Sequence, residues 1–250
     1  MGKKRKKTKL PRARVSVEHA LGVQEASAVA RLPSGRFLVV DDEKGVFRCS
    51  LGTGESADAE LLEAARGLSD LEGICLDGEG TTAWLLAERD GAVWKHAVED
   101  DDLRPGRRVG TLPNLNKRKN HGWEGVGFAP AGSVAPAATL VAVHQTKPRC
   151  LGLFDVETLR PQRLLHLPKD AKKTLGELND VTVSRDGFLV VVSGKAGVVA
   201  ELKVADDALE IGRVARIEHD DDVPEGITFD AEGRLWIVTD GRGWLREIAF

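Results

Sequence analysis

The chain has 250 residues, of which 42% are hydrophobic and 27 are glycine, with a net charge of −3; that is enough apolar material for one large domain or two small ones without disulfides. No apolar run reaches the roughly 18 residues of a membrane span, and the basic start MGKKRKKTKLPRAR lacks the apolar segment of a secretory signal. Three scattered cysteines, Cys49, Cys75 and Cys150, with no CxxC, argue against a disulfide framework or a zinc ribbon and suit a reducing, cytoplasmic compartment with each thiol buried in a strand.

In chain order, residues 1–14 come first, with eight Lys or Arg and no acid, which leaves a net −11 on the remainder. This tail reads as a solvated, disordered extension, or as a contact for nucleic acid, an anionic surface or an import receptor. The acidic body, residues 15–250, is expected to be one monomeric domain that does not use nucleic acid as its main partner.

The body repeats itself. EASAVARLPSGRFLVVDDEKG has Ser27, then Gly35 eight residues on, an apolar run, and Gly45. LEGICLDGEG has Glu72 and Gly80, followed by AWLLAE and Gly91. WEGVGFAPAG is a looser copy anchored at Glu124, with an Ala-rich insertion before TLVAVHQTKP. LNDVTVSRDGFLVVVSGKAG repeats the frame from Asn179, and VPEGITFDAEGRLWIVTDG from Glu225. The anchors are 45, 52, 55 and 46 residues apart, the period of a four-stranded propeller blade.

Each copy divides into strands a to d. Strand a follows the anchor (ITF, VTV), strand b the first glycine (FLVV, WLLA, LWIV), and strand c the second (VFRCSL, AVWKHAV, CLGLFDV, VVAELKV, WLREIAF). Strand d is RRVGTL, QRLLHL and GRVARI in the middle copies. In the first copy ADAELLEAARG reads as a strand or as one or two helical turns. The fifth copy ends after strand c at Phe250, and RVSVEHA, residues 14–20, is the candidate for its missing strand d. The expected fold is all-β, a five-bladed β-propeller of four-stranded blades with the ring closed by this N-terminal strand, which also hides the open edges.

In such a ring the anchors start strand a at the mouth of the central channel. Ser27, Glu72, Glu124, Asn179 and Glu225 would converge there, with the ends of strand b, Asp42, Glu88, Gln145, Gly194 and Asp240, on the same face. Converging carboxylates repel unless protons or a cation neutralise them, and oxygen-only donors suit Ca²⁺, or Mg²⁺ or Mn²⁺. The bland alternative is that an acid before a strand caps a turn in water. His121, His144 and His219 lie near this face and could serve as a general base. GxSxG, P-loop and HExxH motifs are absent, and HDDDVPEG lacks the EF-hand order. NLNKRKNHG, residues 114–122, is a basic loop that either contacts an anionic ligand or is solvated.

KNHGWEGVGFAP followed by HQTKPRCLGLFDV resembles the third blade of the SdiA-regulated family of bacterial β-propellers, where Asn and Lys precede a Gly-aromatic-Glu-Gly stretch and a Lys-x-Pro turn ends the next strand. EASAVARLPSGRFLVVDDEKGVF is similar to that family's opening blade, with Ser27 and Asp42 at matching places. LSDLEGICLD and VPEGITFDAEGRLWIVTD fit its second and last blades. The resemblance spans residues 15–250 and implies a propeller with a calcium-type site, while leaving the chemistry undefined. The chain departs from the pattern at Gln145, where an acid is expected, at Asn179 and Asp180 in place of Ser-Gly, and at Gly194 and Lys195 in place of an acidic pair. LNDVTVSRDG and PEGITFDAEG are also similar to the gluconolactonase and paraoxonase group, whose metal-holding positions would correspond to Glu72, Asn179 and Glu225; those enzymes have six blades, which argues against membership.

The expectation is therefore a binding module. Glu72, Glu124, Asn179 and Glu225 hold calcium, and Ser27, Asp42, Glu88, Gln145 and Asp240 line the place where a small molecule or a protein docks. The alternative is a metal-dependent hydrolase of lactones, esters or phosphoesters, with His121 or His144 as base.

Overall fold

The computed structural model describes residues 10–116, 122–206, 208–218 and 222–250. The repeating apolar runs bounded by Gly, Asp and Asn become strands throughout. After β1 (Arg12–Ala20) come β2 (Ala26–Arg31), β3 (Phe37–Asp41), β4 (Gly45–Leu51) and β5 (Ala57–Leu61), which pair in that order as one antiparallel sheet. The next sheet holds β6 (Leu71–Leu76), β7 (Thr82–Ala87), β8 (Ala92–Glu99) and β10 (Arg107–Thr111), with the two-residue β9 (Asp102–Leu103) paired to β8. The third holds β11 (Trp123–Ala129), β12 (Thr139–His144), β13 (Cys150–Asp155) and β14 (Pro161–His166).

After helix α1 (Lys169–Leu175) come β15 (Asp180–Val183), β16 (Leu189–Ser193), β17 (Val198–Ala205) and β18 (Ala208–Ile217), and last β19 (Pro224–Phe229), β20 (Leu235–Thr239) and β21 (Trp244–Ala249). These form one eight-stranded sheet in the order β15-β16-β17-β18-β1-β21-β20-β19. It is two four-stranded halves joined at a seam. β1 pairs antiparallel with β21 along most of its length, but parallel with β18 only at Arg12 and Ala13.

The core is divided in the same way. Five hydrophobic clusters fill the gaps between consecutive four-stranded units. The cluster of Phe37, Val39, Trp236 and Val238 joins the last unit to the first. The innermost strands follow suit: β2 packs on β6, β6 on β11, β11 on β15, β15 on β19, and β19 back on β2. The fold is a propeller.

Three local readings are sharpened. The N-terminal strand begins at Arg12, so residues 12–14 of the expected tail are strand, while residues 1–9 lie outside the described residues. ADAELLEAARG is β5 followed by a 3-10 turn, Glu63–Ala65. Helix α1 was not anticipated, although Pro168 precedes it, Asp170 lies in its first turn, Lys172 and Lys173 lie in its last, and Gly176 ends it at φ 65°. Cys49, Cys75 and Cys150 are buried free thiols in β4, β6 and β13. No helix among the described residues is long and apolar enough to cross a membrane.

Candidate functional site

The anchors share one backbone device. In β2 the register to β3 jumps between Ala26 and Ala28, leaving Ser27 as the extra residue of a bulge. The same jump isolates Glu72 in β6, Glu124 in β11 and Glu225 in β19. Before β15, Asn179 and Asp180 both oppose Val192, Asn179 by donating its N–H to that carbonyl at 3.0 Å. A bulge re-aims the side chain of its extra residue. The repeat thus turns one polar group inward at the start of each innermost strand.

The next position lets the strands close up. A Cβ on Gly73 would lie 2.9 Å from the Val126 nitrogen, one on Gly125 2.4 Å from the Asp180 Cα, and one on Gly226 2.6 Å from the Ala28 Cα. Only glycine permits this backbone approach. In the fourth unit the position is Asp180, which is 1% exposed. Its carboxylate accepts the Val181 N–H at 2.8 Å and the Ile227 N–H at 2.9 Å, and a further N–H from Val126. Asp180 therefore ties β11, β15 and β19 together at the axis.

Around this tie the carboxyls feel one another. Burial pushes Glu72 up to about 8; the charges of Asp42, Glu225 and Glu88 add to the rise, and a hydrogen bond with Ser27 opposes it. Burial likewise raises Glu225 to about 8, against the Asn179 hydrogen bond and with Asp240 and Glu177 adding. Glu124 is raised to about 11 by burial first, then by its hydrogen bond with Glu88 and the charges of Glu72, Glu88 and Glu225. Two carboxyls sharing a hydrogen bond need one proton between them. Burial and the nearby Glu25, Asp41, Glu43 and Asp240 lift Asp42 to about 6.

The expected residues thus meet at one end of the channel. The Asn179 amide donates to Glu225 and accepts the Gly194 N–H at 2.7 Å. Glu88 accepts the Gly122 N–H at 3.0 Å. Gln145 is half-buried and joins this face through its backbone, accepting the Leu178 N–H at 3.4 Å and donating to Gly122 at 3.2 Å. Asp42 Oδ1 is buried and has no hydrogen-bond partner. Oxygen donors of this kind, one of them orphaned, fit a hard cation chemically. Among the described residues no group of three or more His, Cys, Asp or Glu stands in an arrangement that holds a metal ion, and the raised Glu72, Glu124 and Glu225 favour their protonated forms near neutral pH.

His144 is 1% exposed and sets its ring edge against Trp123 at 5.2 Å. With Glu88, Asp90 and Trp123 it lines a cavity of about 20 Å³, room for one water. His121 and His219 lie outside the described residues, as does most of the basic loop 114–122. Residues not anticipated at this end are Glu25 and Glu177, which bear on Asp42 and Glu225, and Asp180, whose place in the glycine column was the available signal.

The profile of the SdiA-regulated family matches residues 56–241. The chain belongs to the SdiA-regulated family. The matched region of this SdiA-regulated protein takes in Glu72, Glu124, Asn179 and Glu225, while Ser27 and Asp42 precede it. No curated protein matches the chain. Among solved structures, glutaminyl cyclase from Myxococcus xanthus is similar over 96% of this chain and 98% of its own, at 13% identity and a TM-score of 0.65. The calcium structure of Trichoderma reesei carbohydrate-active enzymes family AA12 is similar over 96% and 97%, at 12% identity and a TM-score of 0.55. At these identities the likeness is one of fold.

Proposed function

We propose that this SdiA-regulated protein is a five-bladed β-propeller, closed by its N-terminal strand, whose acidic channel mouth binds a calcium-type cation and presents it to a small ligand or a partner protein. The blade count is supported by the five interlocking core clusters and by the circuit of innermost strands. Closure is supported by the pairing of β1 with β21. On this reading residues 15–250 act as one domain behind a basic extension.

One observation carries the cation reading: Glu72, Glu124 and Glu225 come from three different strands, yet each is raised by burial first and then by acidic neighbours at the mouth, beside the partnerless Asp42 oxygen. Such a cluster stores repulsion that either protons or a cation relieves. Glu72, Glu124, Asn179 and Glu225 would hold the ion, and Ser27, Asp42, Glu88, Gln145 and Asp240 would shape the rim that meets the ligand. The hydrolase alternative asks for a base open to substrate, and His144 is enclosed; binding is the better supported role.

Calorimetric titration of the full chain with calcium tests this against Glu72→Gln/Glu225→Gln. Saturable binding in the parent and none in the double variant is the expected result. Absence of binding in the parent, with the double variant equally or more stable, would reduce the mouth to a protonated polar rim.

A further inference from the structure

The other end of the channel has the opposite chemistry. The innermost strands run from the polar mouth to a bowl of about 440 Å³, lined by the C-terminal halves of all five and by the turns that follow them. Two residues beyond the anchor, every strand is aliphatic: Val29, Ile74, Val126, Val181 and Ile227. Each of these is at most 2% exposed and belongs to the core. Two residues further, Leu76, Phe128, Val183 and Phe229 are half-buried around the opening, and the fifth strand supplies Arg31 instead.

Arg31 is the odd member of this ring. Its guanidinium lies over the Phe37 ring, 4.5 Å from the centroid. Its Nε and Nη1 are buried with no hydrogen-bond partner. A buried donor without an acceptor is costly. The acids lining the opening, Asp77, Glu79 and Asp230, do not supply that acceptor, although the charges of Asp230 and Glu232 act on the guanidinium. Asp77 is occupied by the Thr81 N–H at 2.8 Å and the Thr81 hydroxyl at 2.9 Å. Asp230 holds Trp236 Nε1 at 2.9 Å and Arg234 Nε at 2.7 Å. The other lining cation, Arg185, donates to the Ala231 carbonyl.

A concave apolar site of this volume with one unsatisfied cationic group is the common plan of a small-molecule pocket. We infer that the bowl is a second binding site, distinct from the acidic mouth, for a small amphiphile whose apolar body fills the channel end and whose carboxylate pairs with Arg31. The selectivity follows from the chemistry. A carboxylate offers the Arg31 Nε and Nη1 donors the charged acceptor they lack, an ammonium head has no lone pair to accept from them, and an alcohol would supply only a weak neutral acceptor.

The test compares octanoate, octan-1-ol and octylamine as probes by calorimetry on the full chain, with amide or methyl NMR shifts to locate binding. Octanoate is expected to bind saturably and at least about tenfold more tightly than the other two, consistent with a charge-assisted hydrogen bond. The perturbed signals should include Val126, Phe128 and Phe229. Arg31→Gln should abolish the preference for octanoate over octan-1-ol, and Arg31→Lys should retain part of it. Phe128→Asp, at the half-buried rim, should weaken both. Melting curves on each variant separate lost binding from lost fold, and Glu72→Gln/Glu225→Gln should leave octanoate binding unchanged. Equal affinity for all three probes, unaltered octanoate binding in folded Arg31→Gln, or absence of shifts at the bowl would overturn the assignment.

Discussion

At the scale of the residue, two buried acids, both raised above the usual carboxyl range by burial, meet different partners. Asp180 accepts N–H groups from three strands at the axis, so it crosslinks them. Removing it leaves those donors unsatisfied, and Asp180→Ala should cost about 2–4 kcal/mol in urea denaturation, at roughly 1–3 kcal/mol per orphaned group with some relaxation. Asp180→Asn keeps one acceptor oxygen and should cost clearly less. Burial and the hydrogen bond shared with Glu88 push Glu124 up to about 11, so it is protonated at pH 7. A neutral amide copies it, so Glu124→Gln should leave the melting temperature at pH 7 within a few degrees of the parent. Glu124 was legible in the sequence as an anchor because the repeat marks it. Asp180 was legible only as a departure from the Ser-Gly pattern; that its carboxylate serves three backbones depends on how closely three strands approach, which a single sequence does not encode.

At the scale of the element, the bulge and the glycine after it form one unit. The bulge turns the anchor inward, and the glycine allows the neighbouring strand to come within backbone contact. Gly125→Ala and Gly226→Ala force backbone apart, since the new Cβ would meet Cα atoms at 2.4 and 2.6 Å. Each should destabilise by about 1–3 kcal/mol, the usual cost of overpacking, whereas Gly78→Ala, with open space around it, should change stability by less than about 0.5 kcal/mol. The strands themselves were readable from alternating apolar runs and from glycine spacing. The bulges were not, because a bulge is a property of two strands in register. Helix α1 carried ordinary end signals but lies between two strong strand patterns, which absorbed the segment into a connection.

At the scale of the whole molecule, the channel has an acidic end and, at the other, a bowl with an aliphatic ring and one arginine whose Nε and Nη1 lack a hydrogen-bond partner. The acidic end sets a pH dependence. Glu72 and Glu225 bind protons in the folded state up to about 8, against a usual value of 4.5. Stability from these groups is therefore full below about 4.5 and is lost as pH rises towards 8. Asp77, Asp155 and Asp230 are shifted downward from the usual 3.8 by their hydrogen bonds and oppose this only in acid. The calcium-free protein should thus lose melting temperature between pH 5 and pH 9. Glu72→Gln/Glu225→Gln should flatten that slope and be the more stable protein at the alkaline end. The ring was visible in the 45 to 55 residue period, and the polar mouth in its anchor column. The apolar bowl was present in the same columns two and four residues on, but Arg31 stands out only once its nitrogens are seen to be buried and unpaired.

The most direct measurement is proton release on calcium binding, obtained by calorimetry at pH 7 in two buffers of different ionisation enthalpy. If the cation replaces the protons held by Glu72, Glu124 and Glu225, about three protons should leave per calcium bound, and the release should vanish with the binding in Glu72→Gln/Glu225→Gln. Absence of saturable calcium binding, or binding with the same heat in both buffers, would contradict the account.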